Sequence, residues 1–193
     1  MLPPSEAWQI ILRHLGIITT RYNLKIHCLV LMSNHFHLLL STPDRNLDKA
    51  MEYLLRETAR TINRTSSRIN HLYGSPYKWS IIYTFHYYKH AFKYVCRNPV
   101  KAKMAKRVEE YPYSTLQGPY FNATFPFKLE LTSFEEKYAG DTPLSAKLDW
   151  LNLNYEPREY DFVYKAIRRR EFRFCLQKTS RHFPSTIKDP SEK

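Results

Sequence analysis

The sequence predicts an α+β fold: a ferredoxin-like (split βαβ) antiparallel sheet with helices packed on one face. Three observations carry this. Residues 24–32 (LKIHCLVLM) and 35–41 (HFHLLLS) are apolar runs of strand length, separated only by the turn pair Ser33-Asn34. The segments on either side place apolar residues at helical spacing. The order of elements then reads α-β-β-α-β-α.

Residues 5–21 predict a helix with Trp8, Ile11, Leu12 and Leu15 on one side. The two strands and their turn follow, and Pro43-Asp44 ends the second. Asn46 is suited to cap a helix over 46–64. Leu47, Met51, Leu54, Leu55, Thr58 and Ile62 form its apolar stripe, and Arg56, Arg60 and Arg64 its polar face. Residues 78–84 (KWSIIYT) predict a third strand. Residues 86–97 predict a helix closed by Asn98-Pro99, because a residue before proline disfavours the α region. A last helix is expected over 158–177, carrying Arg168, Arg169 and Arg170. Residues 1–118 form one expected unit, and 119–193 an acidic linker with a basic helical extension. The chain starts at a helix, so the first strand of a ferredoxin-like sheet is expected to be missing, leaving a sheet edge open.

Composition narrows the function. The net charge is +12, the pI about 9.6, and 15% of residues are aromatic. A basic, aromatic chain suits a polyanion with stackable faces, which is nucleic acid; a solvated basic surface over an aromatic core is the plainer alternative. With 4 glycines and neither a GxGxxG nor a GxxxxGK[ST] string, a nucleotide-binding loop is excluded. No RNP1-like string marks an RNA-recognition sheet. Cys28, Cys96 and Cys175 lie far apart and form neither a disulfide framework nor a zinc knuckle. Without a signal peptide or a membrane-length apolar run, a reducing, cytoplasmic setting is expected. The charge is uneven: residues 86–107 hold seven Lys or Arg and no acid, whereas 130–161 hold eight acids and three bases. That acidic stretch is expected to lie away from any phosphate backbone.

The chemistry-bearing residues sit in two places. His35 and His37 alternate with Phe36 on a strand, so both imidazoles leave the same face, about 7 Å apart along it. They can converge on one divalent cation, or stand as an exposed pair. His90, Tyr94 and Asn98 follow at i, i+4 and i+8 on a helix face. A tyrosine hydroxyl there can attack phosphorus when a metal or base assists it. Asn98 can complete a metal sphere with the histidines, or cap the helix end.

Together, IHCLVL and MSNHFHLLLSTP resemble the HUH region of single-tyrosine transposases. KYVCRNPVKAKMAKRVEEYPYSTLQG resembles their tyrosine helix with its Asn-Pro-Val and Tyr-Pro-aromatic-Ser elements. The branch it is most similar to is the REP-associated tyrosine transposases, related to the insertion sequence 200 type. The resemblance covers about residues 5–118. It implies that His35 and His37 are metal ligands, that Asn98 is a third, and that Tyr94 is the nucleophile. It further implies a metal-dependent single-stranded DNA endonuclease and strand transferase that uses magnesium or manganese. Such an enzyme forms a 5′-phosphotyrosine link, frees a 3′-OH and rejoins the strand elsewhere, giving DNA transposition. Single-stranded or hairpin DNA is the implied partner, and the protein a monomer or a homodimer. A relative that holds hairpin DNA without cutting is the alternative. One departure is Lys103, where the family usually has glycine to ease the turn after the helix.

The basic residues then acquire a use. Lys89, Lys93, Arg97, Lys101 and Lys103 flank Tyr94, and Arg56, Arg60 and Arg64 line the long helix; all are candidates for the DNA backbone. The tail around Arg168–Arg170 and Arg173 is expected to add attraction. Tyr77, Trp79, Tyr87 and Tyr88 are candidates to stack unpaired bases.

Overall fold

The computed structural model describes residues 2–67, 71–118, 122–130 and 144–174. Helix α1 spans Pro4–Arg21, and strands β1 and β2 span Lys25–Leu31 and Phe36–Ser41. Helices α2 (Leu47–Ser66) and α3 (Phe85–Lys101) follow, then a 3-10 turn (Val108–Glu110). Helices α4 (Leu144–Asn152) and α5 (Pro157–Ala166) come last among the described residues. The class is α+β.

β1 and β2 form an antiparallel pair running from Lys25 opposite Ser41 to Leu31 opposite Phe36. The register slips between Ile26 and Cys28, a bulge that leaves His27 as the extra residue. The slip decides which side chains go where. Before it, Ile26 faces the layer that also takes Leu29 and Leu31; after it, Cys28 and Val30 face the opposite layer. β1 is thus buried on both faces, which is why it reads as a continuous apolar run rather than an alternating one.

Helices therefore cover both faces, not the single face expected. Trp8, Ile11, Leu12, Leu15 and Ile18 of α1 pack with Met51 and Leu54 of α2 against one face. Phe92, Val95 and Cys96 of α3 pack on the other, against Cys28, Val30 and Leu39. Sγ of Cys28 lies 3.8 Å from Sγ of Cys96, both thiols free and buried, and burial holds the Cys96 thiol well above its usual range.

The third strand expected over 78–84 does not form. That segment makes a lone parallel bridge between Ile81 and Glu171, with Ile81 N–H bonded to the Arg170 carbonyl. Thr84 instead caps α3, its hydroxyl accepting from Tyr87 N–H at 3.2 Å. The edge of β1 away from β2, expected to be open, is occupied by chain from beyond α3. Leu31 N–H donates to the Tyr113 carbonyl, Thr115 N–H to the Leu29 carbonyl, and Leu29 N–H to the Thr115 hydroxyl at 2.8 Å. Glu130 N–H reaches the Ile26 carbonyl further along. The Tyr-Pro-aromatic-Ser element thus covers a strand edge.

α3 also runs through Asn98-Pro99, where it was expected to close. Pro99 withholds one N–H from the Val95 carbonyl, but it lies in the final turn and is itself buried. The helix stops two residues later in a Schellman motif. Met104 N–H bonds the Pro99 carbonyl and Lys103 N–H the Val100 carbonyl, with Lys103 left-handed at φ 58°.

The extension beyond 118 is more than a linker. Leu151 of α4 and Val163 and Ala166 of α5 join the cluster around Phe92 on α3. The last helix, expected over 158–177, ends at Ala166; Arg168–Arg170 lie in a turn, and residues past 174, with Cys175, fall outside the described residues.

Candidate active site

The bulge and the β2 register together aim His35 and His37 at the α3 layer. The two Nε2 atoms lie 3.2 Å apart. His35 Nδ1 pairs with Asn34 Oδ1 at 2.7 Å, and since that oxygen only accepts, Nδ1 carries the proton and the Nε2 lone pair is left toward His37. Burial, and then the neighbouring His35, lower the His37 pKa to about 4, so its imidazole is neutral at pH 7. The Asn98 carboxamide acts on His37 in the opposite direction, raising its pKa. Its Nδ2 donates to the Tyr94 carbonyl at 2.8 Å, which leaves the amide oxygen for the histidine. The same side chain thus bonds a carbonyl one turn back within α3, whereas the helix end falls further on, at Lys101.

Tyr94 completes the group. Its ring sits edge-on to His37, centroids 5.9 Å apart. Tyr94 is 7% exposed, with Tyr160 of α5 stacked on it at 6.1 Å. Burial, then Tyr160, hold the Tyr94 hydroxyl well above the usual phenol range. Tyr160 belongs to the stretch expected to stand apart from the site. The charge count hid this, because Glu159 is buried, Asp161 pairs with Lys165, and Asp149 with Arg107.

Donor geometry fits a divalent cation. The two Nε2 atoms, 3.2 Å apart, are close enough that both would reach one such ion. Among the described residues no group of three His, Cys, Asp or Glu gathers.

The expected DNA contacts divide. Lys89 and Lys93 are buried. The Lys93 ammonium lies 4.8 Å over Trp150 and 4.9 Å over Tyr155, and burial lowers its pKa to about 8. Neither is presented to a phosphate here; the pattern of basic residues on α3 could not show it, because the helices that cover them follow far along the chain. Arg97 is half-buried and bonded to the end of α4. Arg56 and Arg60 are exposed but pair with Glu52 and Glu57. Arg64, Lys101 and Lys103 face solvent. Of the stacking candidates, Tyr77 bonds Asp48, Tyr87 packs on Phe172 and Tyr88 on Phe92, while Trp79 is 40% exposed.

Residues 6–110 match the family model described as "Transposase IS200 like". That span holds the histidine pair, Tyr94 and Asn98, and covers more than half of the chain. The chain belongs to the IS200-like transposase family. No curated protein and no solved structure gives a significant match. As a transposase the protein binds DNA. α4, α5 and the segment that covers the β1 edge lie beyond the matched residues of the transposase model. No helix among the described residues is long and apolar enough to cross a membrane.

Proposed function

We propose that this transposase cleaves and rejoins single-stranded DNA through Tyr94, assisted by a divalent cation held by His35, His37 and Asn98. The observation that carries the reading is the facing pair of Nε2 atoms, 3.2 Å apart, with the Tyr94 ring against His37. Magnesium or manganese bound there supplies Lewis-acid polarisation of the scissile phosphate. The chain's own residues do the rest. Asn34 fixes the His35 tautomer, and the Asn98 side chain is held against the tyrosine turn of α3 by its bond to the Tyr94 carbonyl. The Tyr94 phenolic proton passes to solvent as its oxygen bonds to phosphorus; the bond from phosphorus to the 3′ oxygen breaks, and that oxygen takes a proton from solvent. The products are a 5′-phosphotyrosine and a free 3′-OH. The link conserves the phosphodiester bond energy, so the reverse attack by another 3′-OH rejoins a strand without ATP.

Incubating the full chain with single-stranded hairpin oligonucleotides and manganese should give a covalent protein–DNA adduct. Tyr94→Phe should abolish the adduct and keep DNA binding, because only a hydroxyl is removed. Tyr87→Phe and Tyr88→Phe should retain it. Tyr160→Phe is the informative control: an adduct that survives Tyr94→Phe and vanishes in Tyr160→Phe would transfer the nucleophile to α5.

A further inference from the structure

Beyond the matched family region, α5 carries rings that extend a row starting at Tyr94 on α3. Tyr160 and Tyr164 are one turn apart and stacked at 5.9 Å, and Tyr160 stacks in turn on Tyr94. Two cations lie on this row. Lys101 Nζ sits 3.0 Å from the Tyr160 ring centre, and the Arg168 guanidinium 4.7 Å from that of Tyr164. Past the end of α5, backbone bonds between Ile81 and residues 170–172 bring up a second group. There Arg170 lies 5.9 Å over Trp79, which is 40% exposed, and Tyr83 nearby in the chain is 69% exposed.

Lys101, Arg168 and Arg170 are all exposed, and none pairs with a carboxylate among the described residues. Arg56, Arg60, Arg107 and Lys165, by comparison, each have an acidic partner. Cations held over aromatic faces beside one another repel, and a polyanion relieves that repulsion. From Tyr160 to Arg168 the row rises about 12 Å, the length of three to four stacked nucleotides at about 3.4 Å each. Aromatic side chains stack on unpaired bases, which a duplex does not present.

We infer that this strip, from Tyr94 along Tyr160, Tyr164 and Arg168 to Arg170 and Trp79, is the path of the single-stranded DNA flanking the cleaved phosphate. Lys101, Arg168 and Arg170 hold phosphates, and Tyr164 and Trp79 stack bases. The inference builds on the single-strand reading above and assigns the C-terminal extension a share of the DNA grip.

The test is a binding measurement that needs no cleavage. The full chain carrying Tyr94→Phe, without added metal, is titrated with a labelled single-stranded oligothymidylate and with a duplex of equal length at several salt concentrations. Each single-strand phosphate contact contributes about 0.7 to the slope of log affinity against log salt. Combining Lys101→Gln, Arg168→Gln and Arg170→Gln should therefore flatten the slope by about 2. Combining Arg13→Gln, Lys25→Gln and Lys49→Gln, exposed cations on other elements, removes the same charge and should leave the slope nearly unchanged. Tyr164→Leu and Trp79→Leu should each weaken single-strand binding at least about fivefold and leave duplex binding alone. Equal flattening by the two triple variants, or none by the first, overturns the inference. So does a parent chain that prefers the duplex. A chain that binds through the strip but never forms the manganese-dependent adduct retains this inference and loses the cleavage mechanism.

Discussion

Arg97 lies four residues from each of Lys93 and Lys101 on the basic helix, yet its side chain is turned inward. Its Nη1 donates to the carbonyls of Leu151, at 3.0 Å, and Asn152, and its Nη2 to Asn154 Oδ1 at 2.5 Å. Both carbonyls belong to the last turn of α4, which has no intrahelical donor for them. A cation at that end also meets the negative pole of the helix dipole. A hydrogen bond from a charged donor contributes about 1.5–3 kcal/mol, so two carbonyl bonds set an upper range of about 3–6 kcal/mol. Because the group is half-exposed, water takes over part of this, and a net loss of about 2–3 kcal/mol is expected for Arg97→Met, which keeps most of the stem. With a urea dependence near 2 kcal/mol per molar, the midpoint should fall by about 1 M. Tryptophan fluorescence during urea unfolding reads this directly, since Trp150 lies on α4. The salt dependence of single-strand binding should stay as it was. A midpoint within about 0.2 M of the parent, together with a slope lower by about 0.7, would show that Arg97 holds a phosphate and would refute the capping argument.

Four other outcomes are expected. Lys93 releases its proton at about pH 8 when folded and near 10.5 when unfolded, so the unfolded chain binds more protons between these values and stability should rise with pH across that window; in Lys93→Met, urea midpoints at pH 7 and pH 10 should no longer show that rise. Lys103→Gly should stabilise the protein by up to about 1 kcal/mol, because φ 58° costs a side-chain-bearing residue about 1–2 kcal/mol and the added freedom of glycine in the unfolded chain offsets part of the gain; an unchanged or lower midpoint would contradict this. Manganese should raise the melting temperature at pH 7, an effect lost in the combination of His35→Ala with His37→Ala, and an equal rise in that variant would place the cation elsewhere. Without metal, His37 binds a proton in the unfolded chain from pH 6.5 downward but in the folded chain only near pH 4, so lowering the pH through that window should cost stability.

Much of this molecule was legible in local pattern. The spacing of Trp8, Ile11, Leu12 and Leu15 determined α1, and that of Met51, Leu54, Thr58 and Ile62 determined α2, because a 3.6-residue period shows which side meets a core. The strand alternation was enough to put His35 and His37 on one face, since their relation spans only two residues. The spacing of Tyr94 and Asn98 likewise carried to the structure, although α3 outran Pro99 by two residues. What the tertiary structure decided concerns partners distant in sequence. One extra residue at His27 inverted the facing of β1 beyond it, and helices distant in sequence pack on both sides of the sheet. The edge of β1 was covered by Thr115 and Tyr113, which no local pattern tied to a strand. Residues 78–84 had the composition of a strand but paired with chain ninety residues away, in a single bridge. Lys93 and Arg97 have the charge of DNA-binding residues, and only the packing of α4 and α5 shows that one is buried over rings and the other caps a helix. Charge is a property of composition, whereas solvent access depends on which distant segments pack beside it. For that reason the candidate nucleophile could be named from the sequence, and Tyr160, stacked upon it, could not.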